Sequence, residues 1–398
     1  MRFKWFAVAV LAALSAVAAA SPTSQAEPPD ARVRARDLGI VIGSYPPGPL
    51  NAITDVAGVR VGHTTLISGE GPLKPGIGPV RTGVTVVIPR DDIWHNKVPA
   101  GFFVLNGTGE MTGLAWVAES GFLEYPVALT NTLNVPRVAN GVMSWMIREY
   151  PEIGISDDTL TPVVAECDDG RLNDIQGRHV TEADVAKALD GAATGPVAEG
   201  TVGAGTGMVS YGFKGGIGTA SRRLPEQEGA YTVGVLVNAN HGRRQELVVN
   251  GVPVGRLYDA QPSAGIEGRG QSEGSIIIVL ATDAPLDSRQ LSRLAKRAAF
   301  GLARTGSTVR HGSGDFILAF STGNVIPHYP KERTFMQIHV PDTHINPLFA
   351  ATVEATEEAI VNALTMATTV IGRDDHRVDA ISLMRLQKIL GERGGSRS

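Results

Sequence analysis

The chain has 398 residues, 43% of them hydrophobic and 19% charged, a composition that buries a sizeable core and excludes a disordered chain. Its 36 Lys and Arg against 40 Asp and Glu leave a net charge of −4, which argues against nucleic acid or an anionic membrane surface as partner and for a small neutral or zwitterionic ligand. Cys167 is the only cysteine, so the chain has no internal disulfide and no cysteine metal site.

In chain order, Arg2 and Lys4 precede an apolar run from Trp5 to Ala20, with small residues at two candidate cleavage points, after Ala20 and after Ala26. This pattern predicts a secretory signal peptide over residues 1–26 and export, to the periplasm in a bacterium; the run is at the short end for a membrane anchor. Glycine-bounded apolar runs predict buried strands over 82–89, 101–107, 231–240, 274–282 and 314–322. Two helices follow from periodicity. In one, Leu291, Leu294, Ala298 and Leu302 share a face that Gly306 terminates. In the other, Asn346 is the expected N-cap, Pro347 the first helical residue and Gly372 the terminator, with Phe349, Val353, Ile360, Leu364 and Ile371 as the buried stripe. The alternation of strands and helices in blocks predicts a layered α/β fold.

The stretch from Gln261 to Gly274 is polar, carries Gly265, Gly268, Gly270 and Gly274, and reads as a linker between domains. The 124 residues after it hold only two strong strands and two helices, thin for an independent core. At the junction, Ser275 is followed at once by Ile276, Ile277, Ile278, Val279 and Leu280. Two readings of Ser275 are open from these residues alone. Gly-Ser is an ordinary turn into a strand. Alternatively the Gly274–Ser275 bond breaks and Ser275 becomes an N-terminal nucleophile, its freed α-amine, with an ordinary pKa near 8, acting as base for its own hydroxyl.

The stretches GSIIIVLATDAPL, GSGDFILAFST, GTGMVSYGFKGGIGTASR, NGTGEMTGL and EEAIVNALTMATTVIGRDDHRVDAI, with GPLNAITDVAGVRVGHTTL from Gly48, together resemble the self-processing serine aminopeptidases. That family includes the L-aminopeptidase D-amidase/D-esterases and the β-peptidyl aminopeptidases. The resemblance implies a four-layer αββα sandwich, like that of N-terminal-nucleophile hydrolases but differently connected. It also implies one domain built from two fragments, 27–274 and 275–398, which replaces the linker reading. It places the nucleophile on Ser275, two further catalytic positions on Ser313 and Asp315, and an oxyanion-hole amide on Asn240, a donor expected to contribute roughly 3 kcal/mol. The carboxylate that holds the substrate ammonium falls on Glu166, with Glu110 as its rival.

This chain departs from the family pattern in places. Several relatives carry glutamate where Asp315 stands and an aromatic residue near Cys167, and Leu133 and Pro136 interrupt a usually polar stretch. The resemblance therefore implies release of the N-terminal residue from short peptides, amides or esters, D-alanyl or β-amino substrates included, by a homo-oligomeric enzyme without cofactor. It does not fix the preferred residue. The alternatives are an acyltransferase of related fold and a processed but inactive binding protein.

Other motifs carry less. The glycine-rich GTGEMTG and GAGTGMVSYG lack the spacing or the Lys-Ser/Thr ending of phosphate loops. No Gly-x-Ser-x-Gly elbow accompanies His241 or His311, which read as surface or supporting residues. Paired metal-ligand spacing on a helix is absent, so neither a metallopeptidase nor a metal site is expected.

Overall fold

The computed structural model describes Met1, residues 31–258 and residues 274–394. The expected signal peptide and the polar stretch before Gly274 lie outside the described residues. From Arg32 onward the described residues form one unit.

Two sheets carry the fold. The first runs in the order β1 (Arg60–Ser68), β2 (Val80–Ile88), β4 (Val127–Thr130) and β5 (Val163–Glu166). The second contains β3 (Asn96–Gly107), β9 (Gly314–Ser321), β8 (Gly274–Thr282), β7 (Thr232–His241) and β6 (Gly216–Arg223), with the short strand Ile326–Pro327 at the β3 edge. Helices α1 (Val135–Glu149) and α2 (Glu182–Asp190) cover the first sheet; α3 (Ser288–Arg304) and α4 (Asn346–Thr365) cover the second. The result is the expected αββα order.

Side-chain alternation explains why the isoleucine run needs two apolar faces. On β8, Ile277, Val279 and Ala281 join the core between the sheets, while Ile276, Ile278 and Leu280 pack under α3 and α4. On β7 the same parity sends Leu236 to the inner layer and Val233, Val235 and Val237 to the outer one. Ser275 and Asn240 therefore belong to the inter-sheet parity of their strands.

Helix α3 matches its reading: Asp287 caps the first turn in a reciprocal box with Gln290, Leu291, Leu294, Ala298 and Leu302 are fully buried, and Gly306 takes a φ of 94° just past the end. Helix α4 corrects two expectations. Ile345 is the N-cap, so Asn346 is already helical, and the helix stops at Thr365 instead of reaching Gly372. The β-branched Thr368, Thr369 and Val370 turn the chain out, leaving Ile371 exposed in a short strand with Val370. Nor is the buried surface a single stripe. The segment after Arg32 lies over the outer side of α4, where Ala35 N–H donates to Asn362 (2.9 Å) and Ser44 N–H to Glu354 (2.9 Å). Buried Arg222 reaches Glu354 at 3.1 Å and Glu358 at 2.7 Å, and Arg36 pairs Glu358 at 2.8 Å, so carboxylates that look solvent-facing in sequence sit in the interior.

Candidate active site

Strand direction gathers the predicted residues at one end of the sheets. β8 and β9 are parallel, so Ser275 and Asp315 both stand at strand starts. β7 is antiparallel to β8, which puts its last residues opposite the β8 start: Asn240 faces Ser275 and His241 faces Gly274. β3 is antiparallel to β9 and delivers the loop Thr108–Glu110 to the same end, with Asp315 opposite Asn106.

Ser275 is 7% exposed, and its Oγ accepts a hydrogen bond from the Gly314 N–H at 3.1 Å. That bond uses an Oγ lone pair and leaves the hydroxyl proton to be given away. Gly274 has a φ of 65°, and a Cβ there would come 1.9 Å from the Asn240 carbonyl oxygen, so only glycine fits before the serine. The Ser313 hydroxyl donates to Asp315 Oδ1 at 2.7 Å, while Asp315 Oδ2 is buried without a partner. Burial pushes the Asp315 carboxyl up to about 6, against the opposing effect of the Ser313 hydroxyl and the Ile276 main chain. This pair thus lies against the Ser275–Ile276 backbone and makes no hydrogen bond to the Ser275 hydroxyl.

The Asn240 amide is fixed from both sides. Its Oδ1 accepts from Val209 N–H at 2.7 Å and its Nδ2 donates to the Asp168 carbonyl at 2.9 Å, which sets the amide orientation and leaves one N–H of Nδ2 to donate. Asn240, His241 and Gly274 line a cleft together with Asp168, Arg171 and Arg377.

Glu166 ends β5, 3% exposed, and accepts from the Glu110 N–H at 3.0 Å and from the Thr132 hydroxyl. Burial raises its pKa, so it gains most from a cation that enters beside it. The two halves of the site meet through glycines. A Cβ on Gly109 would stand 2.7 Å from Glu166 Oε1 and 3.2 Å from the Gly314 Cα, and a Cβ on Gly314 would stand 3.2 Å from Ser275 Oγ. Glu166 and Ser275 therefore flank one bare backbone contact. Glu110 contributes its main-chain N–H, while the residue itself is exposed.

Cys167 is fully buried, its Sγ 3.6 Å from the Asn238 carbonyl, and burial pushes the thiol well up, so it is inert. His241 is not a surface residue: it is 2% exposed with its ring edge against Tyr211, and burial lowers its pKa to about 3. His311 is exposed. Sequence reasoning missed the Gly314 N–H, the Thr132 hydroxyl and the supports of Asn240 from Val209 and Asp168. The glycines of NGTGEMTG and GSGD were the only signal of the first.

Two stacked sheets between helix layers, with a serine hydroxyl at the head of a central strand and a buried carboxylate across from it, define the class by its fold: a sandwich like that of the N-terminal-nucleophile hydrolases. The model of Peptidase family S58 matches residues 51–378, and the chain belongs to that family. Over 372 residues it is 48% identical to the Beta-peptidyl aminopeptidase BapA of Sphingosinicella xenopeptidilytica, covering 90% of this chain and 91% of that protein. Among solved structures it is similar to a Burkholderia sp. beta-aminopeptidase, with TM-score 0.83 and 46% identity over 90% of this chain and 99% of that one. It is also similar to the L-aminopeptidase D-Ala-esterase/amidase of Ochrobactrum anthropi, with TM-score 0.83 and 44% identity over 91% and 99%. That protein is described as a prototype of the serine aminopeptidases and a new variant among the Ntn hydrolase fold. The chain is accordingly a serine-type aminopeptidase.

Proposed function

We propose that the enzyme activates itself by cutting its own Gly274–Ser275 bond and then releases N-terminal residues through an acyl-enzyme on Ser275. The observation that carries this reading is the Ser275 hydroxyl, oriented by the Gly314 N–H immediately after a glycine that no other residue can replace. In the first step Ser275 Oγ attacks the Gly274 carbonyl carbon. The Oγ–C bond forms, the C–N bond breaks, and the hydroxyl proton passes to the departing nitrogen. Water then hydrolyses the ester, leaving a carboxylate on Gly274 and a free amine on Ser275.

In turnover that amine takes the Oγ proton as the hydroxyl attacks the substrate carbonyl, and hands it to the leaving amine, ester oxygen or amide nitrogen. Asp315, steadied by Ser313, holds the amine while it is protonated. The free N–H of Asn240 donates to the oxyanion. Glu166 binds the substrate ammonium. A site that sets the buried Glu166 carboxylate across from Ser275 suits short peptides, amides or esters with a free N-terminal amine. The names of the relatives point to β-amino and D-alanyl residues within that class. The signal-like residues 1–26 support secretion, and the family resemblance supports a homo-oligomer.

Turnover of free-amine p-nitroanilides with and without an added acceptor amine tests the reading. Hydrolysis that dominates in both supports an aminopeptidase, transfer to the acceptor at the expense of hydrolysis supports an acyltransferase, and no release at all supports a binding protein.

A further inference from the structure

We propose that His95, Glu152, Asp157 and His328 bind a divalent transition-metal ion of the zinc type, at a site separate from the serine. His95 stands in the turn entering β3, Glu152 and Asp157 in the loop after α1, and His328 just after the short strand Ile326–Pro327. The His328 N–H donates to the His95 carbonyl at 2.9 Å, which holds the two histidine-bearing segments together.

The ligand atoms lie close enough for an ion to draw them into one shell. His95 Nε2 lies 3.0 Å from Glu152 Oε1, and His328 Nε2 lies 3.4 Å from Asp157 Oδ1. Ligand atoms of His95, Glu152 and Asp157 all fall within 4.8 Å of one another. A tetrahedral ion with bonds near 2.0–2.1 Å separates its ligand atoms by about 3.3 Å.

Outer hydrogen bonds orient three of the four ligands. His95 Nδ1 pairs with Asp92 Oδ1 at 2.7 Å, His328 Nδ1 donates to the Trp94 carbonyl at 3.1 Å, and Trp94 Nε1 donates to Asp157 Oδ2 at 2.7 Å. With its Nδ1 proton on the Trp94 carbonyl, a neutral His328 turns a bare Nε2 lone pair toward Asp157 Oδ1, itself an acceptor, while His95 lies between the carboxylates of Asp92 and Glu152. The Asp157 side chain is 2% exposed, and its Oδ1 has no hydrogen-bond donor. At the His328–Asp157 pair, which is buried, two facing acceptors repel unless a cation lies between them. Two imidazoles beside two carboxylates favour zinc and its neighbours over magnesium or calcium. The four residues come from three segments far apart in sequence, around 95, 152–157 and 328, which is why no local spacing gives them away. Three precede Gly274 and one follows it, so, on the self-cleavage reading, the ion ties the two fragments together; the site itself does not depend on the cut.

The test uses untagged protein as purified, stripped with a chelator and titrated with Zn²⁺ by calorimetry, with thermal unfolding alongside. The expected result is one Zn²⁺ per chain with a raised Tm, and at least tenfold weaker binding in His95→Asn and in Glu152→Gln. Both substitutions fall on partly exposed side chains that the fold tolerates. Ca²⁺ and Mg²⁺ are expected to leave both readouts unchanged. If protons alone bridge these groups, the stripped protein binds no Zn²⁺ at concentrations on the order of 100 µM; that result, or equal binding in both variants, overturns the proposal.

Discussion

Replacing Glu166 with glutamine separates substrate recognition from folding, because the carboxylate has two protein donors and, on the proposed reading, one substrate cation. The Glu110 N–H holds Oε1 and the Thr132 hydroxyl holds Oε2. In Glu166→Gln the remaining oxygen keeps the Glu110 N–H, and Thr132 can rotate its hydroxyl to accept from the new amide, so stability should change by about 1 kcal/mol or less. The substrate ammonium loses a charge-assisted bond in a site 3% exposed. Such a bond is worth about 1.5–3 kcal/mol, which predicts a fall in kcat/KM of about 10- to 150-fold for free-amine p-nitroanilides. N-acetylated substrates, poor already with the wild type, should not lose further. Steady-state kinetics on the two substrate sets, with a denaturing gel to follow self-cleavage, checks this. Wild-type kcat/KM in the variant would refute the assignment and make Glu110 the next residue to change; loss of processing as well would give Glu166 a structural role only.

Three further outcomes are expected. On the proposed reading the ionised Asp315 carboxylate steadies the Ser275 amine, and because burial raises that carboxyl to about 6, kcat/KM should fall as pH drops through about 6, by up to about tenfold per unit; a pH profile of Asp315→Asn should lack that limb. Gly109→Ala should lower kcat/KM by at least about tenfold, since its methyl meets Glu166 Oε1 at 2.7 Å and the Gly314 Cα at 3.2 Å, while a modest shift in thermal midpoint shows the fold intact. Arg222→Met should cost about 3–5 kcal/mol in urea unfolding, because it removes the fully buried cation shared by Glu354 and Glu358 and leaves Glu354 with main-chain and hydroxyl donors only.

Much of this molecule is legible in the sequence where a short apolar run meets a glycine. The run from Ile276 to Leu280 predicts a strand buried on both faces, and the two core layers claim its alternate residues. Glu166 is readable as the end of an apolar strand. What could not be read depends on segments distant in the chain. The end of α4 at Thr365 follows from the turn that pairs Val370–Ile371 with Arg377–Val378, and its buried glutamates follow from Arg222 and Arg36. Likewise the Gly314 N–H on Ser275 and the clamping of Asn240 by Val209 and Asp168 are backbone contacts, which side-chain patterns do not encode.

The central claim, a serine that becomes its own chain terminus, is tested most directly by N-terminal sequencing and intact mass of the purified protein. The account predicts a smaller fragment that begins at Ser275 and holds 124 of the 398 residues, about 13 kDa of the 41.9 kDa chain, with Ser275→Ala remaining a single chain. A fully active wild-type enzyme that is uncut, or cut anywhere but between Gly274 and Ser275, would contradict it.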